Sequence, residues 1–207
     1  MKGQIMKGQI MRFQPMLKSA LATGLVLALG GCISLGGKVP ETLFSLTPAK
    51  SLAAGTSASG RIEDAIVVSE PETDRRLAVQ RVAVQIDDAS VAYLQNAMWV
   101  ERPSRLFRAL LAEMIRARGS RLVFEDSEAT AQGGVRLTGR LLEMGYDGRS
   151  LSVVVRYDAI RNGKGGELAT RRFESVVPGV AAKPEAVGPA LNKAANDVAA
   201  QVAEWVG

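Results

Sequence analysis

Residues 135–177 read VRLTGRLLEMGYDGRSLSVVVRYDAIRNGKGGELATRRFESVV, three apolar runs separated by two glycine-bearing links. Val135 to Tyr146, Leu151 to Ile160 and Glu167 to Val177 each have the length and β-branched content of a strand. The links, Asp147-Gly148 and Asn162-Gly163 with Gly165-Gly166, supply residues that accept positive φ at little cost, which is hairpin chemistry. An antiparallel three-stranded meander is the expectation. The same glycines do not read as a phosphate cradle, because GxxxxGK[ST] is absent and no helix opens behind them.

On either side of this block the apolar spacing turns helical. From Pro103 to Arg118 it runs Leu106, Phe107, Leu110, Leu111, Met114, Ile115, with Pro103 suited to a first turn and Gly119 to a stop. From Pro184 to Val206 the stripe is Val187, Leu191, Ala194, Val198, Val202 and Trp205, opposite Glu185, Asn192, Asn196 and Glu204. Its default role is packing on the sheet; with Lys193 as the one cation of the polar face it is poorly suited to lie on a membrane.

Further strands are expected at Leu43–Leu46, 65–69, Leu77–Ile86, Val91–Gln95 and Arg121–Phe124, with Asp87-Asp88 turning the third into the fourth. AAGTSASG, residues 53–60, is too small and polar for a core position and reads as a linker. Strands on both sides of one helix and a second helix at the end give an α+β class: a mainly antiparallel sheet with two amphipathic helices packed on one face.

The N-terminal segment is of another kind. Ala20 to Leu29, ALATGLVLAL, is an apolar run about half as long as a membrane-spanning helix needs. It follows Lys2, Lys7, Arg12 and Lys18 and ends in Leu29, Gly30, Gly31, Cys32, a pattern similar to the lipobox of bacterial lipoproteins. That resemblance implies cleavage between Gly31 and Cys32 and a diacylglycerol thioether on Cys32; the bland alternative is a small buried cysteine. Met1, Met6, Met11 and Met16 are all candidate starts within a repeat, MKGQI-MKGQI-MRFQP, that carries no fold information. The expected organisation is a signal over 1–31, a tether over 32–42 and one domain over 43–207. Residue 33 is isoleucine where aspartate would mark inner-membrane retention, so the outer membrane, facing the periplasm, is the expected site; the periplasmic face of the inner membrane is the alternative.

Charge and residue inventory exclude several functions. The formal net charge is +5, but the four basic residues before Cys32 have no acidic counterpart there, so the remainder carries 22 basic and 21 acidic residues. No global field is left to gather nucleic acid. Arg102, Arg105, Arg108, Arg116, Arg118 and Arg121 read as the solvated side of a helix. There is no histidine, and with one cysteine there is no intrachain disulfide. GxSxG, HExxH and CxxC are all missing. Glu125, Asp126 and Glu128 lack the full ligand pattern of a calcium loop, so no metal and no cofactor are expected. Glu143 and Asp158 are a notional carboxylate pair for glycoside hydrolysis, but ten aromatic residues leave few for sugar platforms. A non-catalytic, anchored binding protein is the expectation. Tyr93 and Trp99 flank a loop as interface anchors would, although burial in the core suits them better.

In order, LFSLTPA (43–49), AIVVSEPE (65–72), RRLAVQRVAVQ (75–85), VAYLQNAMWVERPSRLFRALL (91–111) and the closing AEWVG (203–207) resemble the ABC-type transport auxiliary lipoproteins, a family that includes the lipoprotein of paraquat-inducible operons. The resemblance covers nearly the whole chain after Cys32. It implies a membrane-tethered periplasmic component of a system that moves phospholipid or other hydrophobic molecules between membranes. The implied partners are an MCE-domain protein and the ABC permease, with the ATPase contacted indirectly, and self-association into a homo-oligomer. Two other readings stay open: a structural lipoprotein of an outer-membrane assembly machine, and a lipid carrier with a pocket between helices and sheet.

Overall fold

The computed structural model describes residues 40, 42–119, 121–126 and 134–207. The expected meander forms the trunk of the sheet: β5 (Val135–Asp147), β6 (Ser152–Asn162) and β7 (Leu168–Val177) pair antiparallel along nearly their full lengths. In the first link the Asp147 carboxylate accepts from the backbone N–H groups of Arg149 and Ser150, and the positive φ falls on Leu151 (48°) rather than on Gly148. In the second, Gly165 and Gly166 take the positive φ values, 69° and 83°.

The other long edge of β5 is divided. Its N-terminal half pairs with β1 (Ile66–Val68), which pairs with β4 (Val123–Glu125); its C-terminal half pairs with β2 (Arg81–Gln85), which pairs with β3 (Val91–Met98). Only the β2–β3 hairpin is antiparallel here. β1–β4, β1–β5 and β2–β5 are parallel, so among the described residues the sheet is mixed, and the expectation of a mainly antiparallel sheet is corrected. The cause is that β1 and β2 are two stretches of one line along β5. Between them Glu72 bridges Arg140, and the chain then leaves the ladder: the Asp74 carbonyl accepts from the N–H groups of Leu77 and Ala78, curling a turn that buries Leu77. The strand expected over Leu77–Ile86 is therefore cut to Arg81–Gln85, and Ile86 is left 48% exposed. Leu43–Leu46 forms no strand, only a single parallel bridge from Phe44 to Trp99.

Both helices form where expected, α1 at Pro103–Arg118 and α2 at Pro184–Val206, each with proline in its first turn, where a missing N–H costs nothing. They pack on each other and on one face of the sheet. Tyr157 of β6 meets Phe107 of α1 edge to face at 5.3 Å, and Phe173 of β7 meets Trp205 of α2 likewise at 5.7 Å. Val153, Val155, Leu141 and Met144 fill the space between, none more than 1% exposed. Buried Tyr157 is satisfied because its hydroxyl donates to the Thr138 carbonyl at 2.7 Å. This requires glycine at 139: its φ is 148°, and a Cβ there would lie 2.0 Å from the Asp158 carbonyl oxygen.

Candidate functional site

Cys32 and Gly31, the expected lipidation and cleavage positions, lie outside the described residues, as does Glu128. What the structure does show is how the chain enters the domain after the tether. Residues 44–52 run over α2 and α1 as a strap held mainly by side chains. The Phe44 N–H donates to the Met98 carbonyl and the Phe44 carbonyl accepts from the Val100 N–H, while its ring meets Trp99 edge to face at 5.7 Å. Further along, the Thr47 N–H donates to Asn192 Oδ1 (2.8 Å) and the Ala49 N–H to Asn196 Oδ1 (2.7 Å). Asn196 Nδ2 returns a hydrogen bond to the Thr47 carbonyl at 2.9 Å, and the Leu52 N–H donates to Glu113 Oε1.

Asn192 and Asn196 are one helical turn apart and so address the strap as a pair. Asn196 is only 7% exposed, which corrects its expected place on a solvated face. A signal for this existed: two asparagines at i,i+4 in an alanine-rich helix are poor helix formers that gain from bonding neighbouring backbone. Gly188 lies under the strap, where a Cβ would come within 3.1 Å of the Phe44 ring.

The two aromatic candidates separate. Trp99 is 1% exposed and belongs to the core, and its indole N–H has no hydrogen-bond partner among the described residues. Tyr93 stays half-buried on β3, with the Arg81 guanidinium 4.3 Å over its ring.

Glu143 and Asp158 both lie on the outer face of the sheet, away from the helices, each bound to arginine. Glu143 pairs with Arg76 at 2.9 Å and Arg156 at 3.9 Å; Asp158 pairs with Arg172 through two contacts of 2.6 and 2.7 Å. The Arg172 hydrogen bond holds the Asp158 carboxyl below its ordinary value, opposite to the upward shift a general acid needs. Asp126 accepts from Ser69 Oγ, the Glu70 N–H and Arg136, and Glu125 is paired with Arg108 at 2.9 Å. Arg102, Arg105 and Arg108 converge on Glu70, whose carboxylate also accepts from Ser104 Oγ at 2.6 Å. Three arginines of the basic cluster, Arg102, Arg105 and Arg108, are thus ion-paired within the fold.

The strap carries most of LFSLTPA, the first ordered motif, and rests on α2, which ends in the last. The profile of the family described as ABC-type transport auxiliary lipoprotein component matches residues 44–203, from the first residue of the strap almost to the end of α2. The chain belongs to this family. Membership makes it an auxiliary lipoprotein of ABC-type transport, and hence a membrane-anchored, periplasmic component. Two solved structures share its fold. A Xanthomonas campestris protein of the family DUF330 is 16% identical, with a TM-score of 0.61, over 80% of this chain and 91% of its own. A second, uncharacterized protein is 14% identical, with a TM-score of 0.61, over 80% of this chain and all of its own. No curated protein matches the chain.

Proposed function

We propose that this auxiliary lipoprotein serves an intermembrane lipid transport system of the ABC/MCE type, docking or steadying the complex at the periplasmic face of the outer membrane through a lipid on Cys32. The observation that carries the reading is the strap. It begins twelve residues after Cys32 and is clamped to α2, so the folded domain starts within a short length of chain from the proposed anchor. At about 3.3–3.6 Å per residue the intervening chain reaches no more than about 40 Å. The domain is therefore kept beside the membrane that holds its lipid.

Catalysis has no place in the reading. The carboxylates that could attempt it are committed to arginines, and ATP hydrolysis belongs to another subunit. A carrier role with a ligand between helices and sheet is disfavoured, because that space is filled by Tyr157, Val155 and Leu141 packed against Phe107 and Leu191. The MCE-domain protein and the permease are the direct partners, with the ATPase reached through the permease. Affinity purification of the lipid-anchored protein from membranes should recover the MCE protein with ABC subunits. Recovery of neither overturns the proposal.

A further inference from the structure

The outer face of β5, β6 and β7 carries its charges in two rows of opposite polarity. Across the strands one row reads Glu143, Arg156, Glu174 and the other Arg140, Asp158, Arg172. Within the rows Glu143–Arg156, Arg156–Glu174 and Asp158–Arg172 are ion-paired. The first row therefore reaches β7 with a negative end and the second with a positive end, two residues apart.

β7 is an edge. Among the described residues it pairs with β6 and with no other strand, over ten residues without proline or bulge. The Gly163 N–H donates to the Glu167 carbonyl, so by the alternation of an antiparallel ladder the odd-numbered residues of β7 bond to β6. The N–H and C=O groups of Leu168, Thr170, Arg172, Glu174 and Val176 then point to the open side, and all five residues are exposed. Such an edge is a ready template for another strand.

We propose that this edge docks a second copy of the chain, the two β7 strands running antiparallel about a two-fold axis at Phe173. The register follows from two demands. Even-numbered residues must oppose even-numbered ones for the free backbone groups to meet, and unlike charges must face. Centring on Arg172 or Glu174 sets that residue against itself. Centring on Phe173 sets Arg172 against Glu174 of the second copy, twice by symmetry, and Thr170 against Val176. Each row then continues across the junction as Glu143, Arg156, Glu174, Arg172, Asp158, Arg140, six alternating charges. A foreign strand would need the same pattern; a second copy has it by identity.

The test uses complementary charge reversals in the full-length protein in detergent, read by sedimentation equilibrium across concentration, with circular dichroism to confirm each fold. Arg172→Glu alone sets Glu against Glu174, and Glu174→Arg alone sets Arg against Arg172. Each should weaken self-association at least about tenfold. Mixing the two variants restores opposite charges at both junctions and should return a heterodimer of wild-type strength. Thr170→Pro, which removes an N–H aimed at the open edge and leaves the β6 ladder intact, should also abolish association. A monomeric wild type, reversals that associate as the wild type does, or a mixture that stays monomeric would each overturn the proposal.

Discussion

Asn196 holds both an N–H and a C=O of the strap from a nearly buried position, doing with one amide what a neighbouring strand would do with backbone. Asn196→Ala leaves the Ala49 N–H and the Thr47 carbonyl without it, and the expected loss is about 1–3 kcal/mol of unfolding free energy, measured by urea denaturation. Hydrogen exchange at Ala49, whose N–H loses its acceptor, should quicken at the same time, while amides of β6 stay protected. At the other end of the tether, Cys32→Ala should move the protein from the membrane to the soluble fraction with an unchanged circular dichroism spectrum. A variant that still sediments with membranes would contradict the lipid anchor. The expectation at Cys32 rests on adjacent residues alone, the Leu29-Gly30-Gly31 that precede it. Trp99 was not settled in this way, since flanking residues are the same whether its ring lies under Phe44 or in solvent.

At the scale of elements, α1, α2 and the β5–β6–β7 meander were foreseeable to within a residue or two, because helix periodicity, proline at the start and turn residues between strands are local. Leu43–Leu46 has strand composition but makes only one bridge, from Phe44 to Trp99, and the strap beyond it is held by two asparagines about 145 residues away. Gly139 shows the same limit. Nothing local marks it, yet its φ of 148° and the close approach of Asp158 forbid a side chain. Gly139→Ala should destabilise the domain by about 2 kcal/mol or more, seen as a lowered urea midpoint, with backbone strain and the displaced Tyr157 hydroxyl bond as the causes.

For the molecule as a whole, carboxylates paired with arginine predict how stability follows pH. The Arg172 hydrogen bond holds Asp158 below its ordinary value, and Arg149 does the same for Asp147. Near pH 4 the unfolded chain therefore binds more protons than the folded one, so stability rises with pH there. This contribution is complete above about pH 5 and is lost as pH falls through the lowered folded values. With no histidine to titrate between, urea midpoints should agree at pH 7 and pH 5 and drop at pH 3. A midpoint unchanged at pH 3 would show that the pairing of Asp158 and Asp147 with arginine contributes nothing to folding.

What the sequence determined by itself was everything carried by near neighbours: both helices with their first-turn prolines, and the hairpins that make the trunk antiparallel. Only the tertiary structure decided that β1 and β2 lie parallel along the far edge of β5, because the excursion through Asp74 and Leu77 interrupts one line of chain without turning it back. It also decided that Asn192 and Asn196 face the strap, that Trp99 is core, and that six outer-face charges fall into two rows of opposite sense. The physical reason is common to all of these. Local torsional and turn preferences act over a few residues, whereas strand direction, register and burial are set by contacts between segments tens of residues or more apart.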